Sequence, residues 1–236
     1  MNSRMVSVIL PAYNDKQSLL ALIPAVHDAL AAYEHEIVVV DDNSPDGTYQ
    51  ALLASTFAPA DVKVILRETD RGLAKSIRCC IEHASGDILV VMDSDFNHLP
   101  KYIPIMIDNL KYFECVIASR FLYFPLEQHD SVFRIVTSWM FNLFIRIVLF
   151  SAVTENLFGF FAIRRDVIDR MNFDRIFFGF GDYFIRLLFY LQKANVSILQ
   201  IPAVFARRHA GTGNKNVARR IIRYTKETFV LRLSNL

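Results

Sequence analysis

Cysteine is scarce in this sequence: Cys79, Cys80 and Cys115 are the only three. They lack the spacing of zinc ligands and are too few for a disulfide scaffold, so inert thiols in a reducing compartment are expected. Glycine and proline, eight of each, are too sparse for a fibrous or low-complexity chain. No G-x-G-x-x-G follows the first strand-like run and no Walker loop occurs anywhere, which removes the usual support for dinucleotide oxidoreductases and P-loop enzymes. The chain also lacks an opening apolar leader with a cleavage site. Met5 to Leu10 instead has the length and β-branched content of a strand, so a cytosolic start is expected. The basic residues carry no recognisable nucleic-acid-binding motif, and nucleic acid is not an expected partner.

What the sequence does contain is apolar mass, unevenly charged. Its 236 residues are 53% hydrophobic and 21% charged, enough to bury a large core as a single domain spanning 1–236. Residues 1–118 hold 9 Lys and Arg against 16 Asp and Glu, whereas residues 119–236 hold 17 against 8. Seventeen of the twenty Phe also fall in the later part. An acidic, regular half is followed by a basic, aromatic one, and the function is expected to use both.

Strand-like runs occur at Val6–Pro11, Glu36–Asp41, Val62–Leu66, Asp87–Met92 and Val116–Ser119, with helical patterns between them. Nearly continuous Val, Ile and Leu in several runs suits parallel strands covered on both faces, so the expected fold is α/β: an open, mainly parallel sheet with helices on each side. A helical pattern from about Gln17 to Tyr33 contains Pro24, which implies a kink or a later start. Ligands of such sheets bind at the carboxyl ends of the strands, and the polar residues gather there. Strand one ends in Pro11-Ala12-Tyr13-Asn14-Asp15, strand two in Asp41 to Thr48, and strand four in Asp93-Ser94-Asp95.

Asp93 and Asp95 are two apart, which on an extended chain points both carboxylates to one side. Like charges that close repel unless a cation joins them, and oxygen-only ligands suit Mg²⁺ or Mn²⁺ completed by substrate phosphates and water. Of the adjacent Asp41 and Asp42, one is expected to face the cleft and the other to cap the turn that Asn43, Ser44, Pro45, Asp46 and Gly47 encode. A carboxylate facing inward can accept hydrogen bonds from a base or ribose, and Tyr13 can flank a base. His98 lies close enough in sequence to sit near the cation or simply to shape the turn.

Together, Pro11-Ala12-Tyr13-Asn14-Asp15, Val38 to Thr48, Arg71-Gly72-Leu73 and Asp93-Ser94-Asp95-Phe96-Asn97-His98 resemble family 2 glycosyltransferases of the GT-A fold, the polyprenyl-phosphate sugar synthases of the dolichol-phosphate mannose synthase type among them. The resemblance continues through Ser119-Arg120-Phe121, Gly159 to Arg165 and Phe205 to Gly211. It implies a nucleotide-diphosphate sugar bound at the strand ends, with Pro11, Ala12, Tyr13, Asp15, Val40 and Asp42 around the nucleoside and Arg71, Gly72 and Ser94 also lining the donor site. Asp15 stands where Glu is usual, one methylene shorter. Asp93 and Asp95, with Asn97, would hold Mg²⁺ or Mn²⁺ on the diphosphate. Arg120, Arg134 and Arg208 match arginines implicated at the donor and acceptor phosphates, and Ser138, on the same stripe as Arg134, is expected with them at the acceptor phosphate. Several departures accompany this likeness. Thr154-Glu155-Asn156-Leu157-Phe158 differs from the small, polar run usual before the matching Gly-Phe. The glycine pair usual after Arg-Tyr is missing from Phe121 to Pro125, Arg186 replaces a Glu, and Gly211-Thr212-Gly213-Asn214-Lys215 moves a lysine by one position.

The activity so implied is inverting, metal-dependent transfer of a hexose such as mannose or glucose to polyprenyl phosphate, by a protein lying peripherally on the cytoplasmic side of a membrane, with a small membrane subunit as a candidate anchor. A phosphate acceptor is already an anionic nucleophile and needs alignment rather than a strong base. A hydroxyl acceptor, taken by a soluble enzyme of the same fold, would need one, and Asp182 in Gly179-Phe180-Gly181-Asp182-Tyr183 is the candidate. A non-catalytic nucleotide-sugar-binding assembly subunit is the alternative from another class. Membrane contact has its own residue signals. Arg134, Ser138, Asn142 and Arg146 recur every four residues and form one polar stripe on a helix otherwise apolar, so an interface helix is expected over 130–154. Lys215, Arg219, Arg220, Arg223, Lys226 and Arg232, interleaved with Ile221, Ile222, Phe229 and Val230, mark a basic amphipathic helix over 214–236.

Overall fold

The computed structural model describes residues 4–57, 61–122, 132–204 and 217–234. The five expected strands are present as β1 (Val6–Ala12), β2 (His35–Asp41), β3 (Val62–Leu66), β4 (Ile88–Val91) and β5 (Cys115–Ser119). The later half adds β6 (Phe161–Arg164) and β7 (Ile198–Pro202), giving a seven-stranded sheet of order β3-β2-β1-β4-β6-β5-β7. Only β6 runs against its neighbours β4 and β5. The other pairings are parallel, with Ala12 opposite Asp41 at the carboxyl ends of β1 and β2.

The strands are apolar on both faces because both faces are covered. Val8, Leu10 and Val39 point into one core with Leu19, Leu22, Ile23 and Val26 of α1 (Lys16–Ala29). Met106 and Ile107 of a short helix after β4, Ile103–Asn109, join the same core. The alternate residues Ile9, Val38 and Val40 point into a second core with Ile77, Cys80 and Ile81 of the helix Leu73–His83, and with Phe184, Leu187 and Leu188 of the helix Asp182–Lys193. Each such aliphatic side chain contributes about 1.5–3 kcal/mol on full burial. Pro24 sits inside α1, which starts at Lys16 and continues to Ala29. Leu20, whose carbonyl would otherwise take the missing N–H, lies on the side of α1 that solvent reaches.

In chain order the remaining helices are α2 (Thr48–Leu53), α3 (Leu73–His83), α4 (Ile103–Asn109), α5 (Val132–Leu149), α6 (Arg165–Ile168), α7 (Phe173–Ile176), α8 (Asp182–Lys193) and α9 (Val217–Leu233). The last long helices make a third, smaller cluster, in which Ile145, Ile185 and Leu231 meet beside Phe141, Phe144 and Tyr224. The middle of the polar stripe of α5 turns inward, Ser138 and Asn142 bonding to the domain and Asn142 buried, while Arg134 at its start is exposed. Its opposite side leaves Phe133, Trp139, Met140, Leu143 and Ile147 exposed. By length and composition, with mean hydropathy 1.6, α5 is apolar enough to cross a membrane.

Candidate active site

A cleft of about 800 Å³ opens at the carboxyl ends of β1, β2 and β4, where the sheet rule places it. Pro11, Ala12, Tyr13, Asn14 and Asp15 form its β1 side, Asp42 its β2 side and Asp93, Ser94 and Asp95 its β4 side. Arg71, Gly72 and Leu73 lead into α3 on the same wall. Segments far apart in sequence and read as one strand-end group thus meet in one cavity.

The two adjacent acids after β2 divide their work. Asp41 is buried and caps the turn, its carboxylate accepting from the Ser44 N–H (3.1 Å) and from the Ser44 hydroxyl. Asp42 lines the cleft; its Oδ2 accepts from the Gly72 N–H at 2.7 Å and its Oδ1 lies 3.3 Å from Arg67. Gly72 has φ +141°, a conformation that side-chain-bearing residues rarely adopt, and this lets its N–H turn toward Asp42. Arg71 Nη1 donates to the Asp42 carbonyl at 3.3 Å. Ser94 ties β4 to β1, its hydroxyl lying 2.6 Å from Asp15 and 3.0 Å from the Pro11 carbonyl. Tyr13 is exposed at the cleft mouth, whereas the Val40 side chain faces the second core and does not reach the cavity.

The extended geometry expected for Asp93 and Asp95 is replaced by a turn, because β4 ends at Val91. Both carboxylates still line the cleft. They differ in setting: the Asp93 side chain is 42% exposed, while Asp95 is buried and receives the Asn97 N–H (3.0 Å) and the Asn97 side-chain amide (2.8 Å). Asn97 is therefore a brace for Asp95 rather than part of the cleft wall, and its Oδ1 is buried without a hydrogen-bond partner among the described residues. His98 accepts the Asp93 N–H at 2.8 Å, stacks on Phe160 and meets Phe158 edge-on. Burial drives its pKa down to about 4, so it acts as a neutral support.

Four carboxylates and two guanidiniums line this cleft, and Asp42 already has Arg67 beside it. A diphosphate entering beside Asp15, Asp93 and Asp95 would meet carboxylates of like charge. The donor set is all oxygen, and among the described residues no group of three or more His, Cys, Asp or Glu forms a closed cage. Two carboxylates with room for phosphate oxygens and water fit a hard divalent cation of the Mg²⁺ or Mn²⁺ kind.

Several other expected site residues lie elsewhere. Arg120 is locked to the fully buried Glu155 by two hydrogen bonds (2.7 and 3.0 Å), with a third to Ser138 (3.2 Å), and does not line the cavity. Arg134 is exposed on the first turn of α5, away from the cleft, and Arg208 is outside the described residues. Asp182 departs most from expectation. It is buried, accepts the Phe180 N–H at 2.8 Å and pairs with Arg186 at 2.7 Å, so its carboxylate holds the start of α8 instead of facing substrate. Arg186, also buried, reaches Glu227 at 3.1 Å as well, which gives this position a structural anion partner on each side. The far wall of the cleft comes from residues the sequence did not single out as a site: Leu157, Phe158, Gly159, Phe180, Gly181, Tyr183, Arg220 and Tyr224.

Comparison with known proteins agrees with this geometry. The chain is 32% identical over 232 residues to a dolichol-phosphate mannosyltransferase of Pyrococcus furiosus, a match spanning 96% of this chain and 63% of that protein. It is 31% identical over 213 residues to an undecaprenyl-phosphate mannosyltransferase of Micrococcus luteus, with 87% and 85% covered. The chain thus spans less than two thirds of the length of the first relative and most of the second. The fold matches glucosyl-3-phosphoglycerate synthase from Mycobacterium tuberculosis, solved with Mn²⁺, uridine diphosphate and phosphoglyceric acid, at TM-score 0.72 and 18% identity over 98% of this chain and 78% of that one. The sheet order with its single reversed strand, and the strand-end cleft, are therefore those of the GT-A fold. The family model for glycosyl transferase family 2 matches residues 7–171, the stretch that carries β1 to β6 and the acidic side of the cleft, and the chain belongs to that family.

Proposed function

We propose that this protein is an inverting glycosyltransferase that moves a hexose from a nucleotide-diphosphate sugar to polyprenyl phosphate at the cytoplasmic face of a membrane. One observation carries the reading: an acidic strand-end cleft lies beside a helix that bonds inward through Ser138 and Asn142 and turns Trp139, Met140 and Ile147 outward. The cleft suits a nucleotide diphosphate with a cation, and the outward face suits a lipid-borne acceptor. The names of the curated relatives, which act on dolichol and undecaprenyl phosphates, support the acceptor class. Bound metal in the M. tuberculosis enzyme supports the cation.

In this reading Asp42 and Tyr13 position the nucleoside, and Gly72 keeps Asp42 aimed at it through its N–H. Asp93 and Asp95 would hold Mg²⁺ or Mn²⁺, which when bound offsets the charge of the leaving diphosphate. Asn97 and His98 fix the turn that presents them. An acceptor phosphate oxygen attacks the anomeric carbon as the bond to the donor diphosphate breaks; the electron pair leaves with the nucleoside diphosphate, and the centre inverts. No proton has to be removed from the nucleophile, so the commitment of Asp182 to Arg186 costs this reaction nothing. The same commitment leaves a hydroxyl acceptor without its expected base.

The test is incubation of the purified protein and Mn²⁺ with separate labelled nucleotide sugars, with and without polyprenyl phosphate. Label entering the organic phase only when the lipid is present supports the reading. Transfer to a water-soluble hydroxyl acceptor instead, or no transfer at all, overturns it.

A further inference from the structure

Two guanidinium groups line the cleft, and they come from opposite parts of the chain. Arg71 is engaged with the Asp42 carbonyl at the nucleoside end. Arg220 comes from α9, beyond the residues 7–171 that the family model matches. Tyr224, one helical turn later, lines the cleft with it, as residues four apart on a helix should.

The seat of α9 is built to hold this pair in place. Glu227 pairs with the buried Arg186 of α8, Arg223 lies 3.8 Å from Asp182, and Leu231 packs against Ile145 and Ile185. Gly181 leaves the gap that the Tyr224 hydroxyl fills, since a Cβ there would overlap it. Arg186 and Arg223 on this seam both have carboxylate neighbours, whereas Arg220 makes no ion pair with a carboxylate among the described residues. Tyr183 and Tyr224 line the same cleft as Asp93. Burial holds Tyr224 up at about 12 against the pull of Arg220, and Tyr183 also above its ordinary range, so both keep their protons to donate. A partly buried guanidinium that opens on a cavity and has no carboxylate partner among the described residues is suited to a phosphate.

We propose that Arg220 and Tyr224 form a phosphate-binding wall of the cleft that Asp93 also lines, donating to the non-bridging oxygens of a substrate phosphate. This deepens the proposed function and rests on it for the bearer of that phosphate, which is either the donor diphosphate or the acceptor phosphomonoester. It also makes α9 part of the active site rather than an appendage to it.

The test uses the full chain with Mn²⁺ and the variants Arg220→Gln, Arg220→Lys and Tyr224→Phe, each checked for helix content and thermal unfolding. One arm titrates nucleoside diphosphate; the other measures initial rates against polyprenyl phosphate. Arg220→Gln is expected to weaken one of the two by roughly tenfold to a hundredfold, with Arg220→Lys and Tyr224→Phe losing less. Weaker nucleoside diphosphate binding assigns the wall to the donor. A raised KM for the lipid with unchanged nucleotide binding assigns it to the acceptor. If both arms stay within about twofold of the parent protein in Arg220→Gln, the wall is overturned. If Arg220→Gln does not fold, Arg220→Lys and Tyr224→Phe decide by the same two arms, and parent-like values in both overturn it. Should the parent protein bind nucleotide but transfer no sugar to the lipid, the proposed reaction fails, and unchanged nucleotide binding in Arg220→Gln then overturns the wall as well.

Discussion

The strand-end side of the cleft and the helical shell of α5, α8 and α9 hold their charges in opposite ways. On the strand-end side three acids are held by their own turns, Asp41 by Ser44, Asp95 by Asn97 and Asp46 by Thr48 at 2.6 Å, while Asp42 and Asp15 take partners from other segments, Gly72 and Ser94. In the shell, Arg120 finds Glu155 across 35 positions and Arg186 finds Glu227 on another helix. Local bonding leaves Asp93 and Asp95 lining the cavity, whereas the shell sets carboxylate against guanidinium both within α8, Asp182 with Arg186, and over long range, Glu155 with Arg120 and Glu227 with Arg186. The first region is poised for a ligand; the second is stabilised for assembly, with Arg220 its contribution to the cleft.

The largest expected effect tests the ligand side. Asp95→Ala should lower sugar transfer by at least about 10²-fold and remove the Mn²⁺ dependence of nucleotide binding, read by label transfer and by titration with and without chelator. Full activity in that variant, or in excess chelator, would end the cation assignment. Next comes the assembly side: Asp182→Asn leaves Arg186 with Glu227 as its remaining carboxylate and should lower unfolding stability by about 1.5–3 kcal/mol, measured by urea denaturation. An inactive Asp182→Asn with parent-like stability and nucleotide binding would restore Asp182 as a base and erase the contrast between the regions. Gly181→Ala is milder: its Cβ meets the Tyr224 hydroxyl, so about 1–3 kcal/mol is expected from overpacking. A thermal midpoint equal to the parent's would show that α9 is not tightly seated there. Smallest in stability is Trp139→Ser with Met140→Ser on the exposed side of α5, within about 0.5 kcal/mol per site. Co-sedimentation with anionic vesicles should nevertheless drop sharply, and unchanged sedimentation would remove the outward face from the membrane reading.

Much of the first region was legible because its determinants are short-range. Five strands announced themselves as β-branched runs, and the turn after β2 was written in Asp41 to Gly47. β6 and β7 were not, since four or five residues amid aromatic-rich sequence carry no period that separates strand from helix. The stripe on α5 was visible, yet which side of it meets the protein depended on Glu155 and Asn156 arriving from beyond the helix. Arg120, Asp182 and Val40 were expected at the site and lie off it because tertiary partners or the sheet's alternation claimed them. Arg220 and Tyr224 had one available signal, their four-residue spacing on a basic helix, but nothing in the sequence paired that helix with the gap at Gly181.

The reversed strand β6 has a consequence for how the two regions communicate. Because it runs opposite to β4 and β5, its entry end sits at the cleft edge, so the chain reaches it from α5 along Glu155, Leu157 and Phe158 instead of departing from the sheet there. The loop that lines the cleft with Leu157, Phe158 and Gly159 is thereby held to α5, through the bonds of Asn142 to Glu155 and Asn156. A substitution at Asn142, on the helix, would therefore be felt in the lining of the cleft even though Asn142 does not itself reach the cavity.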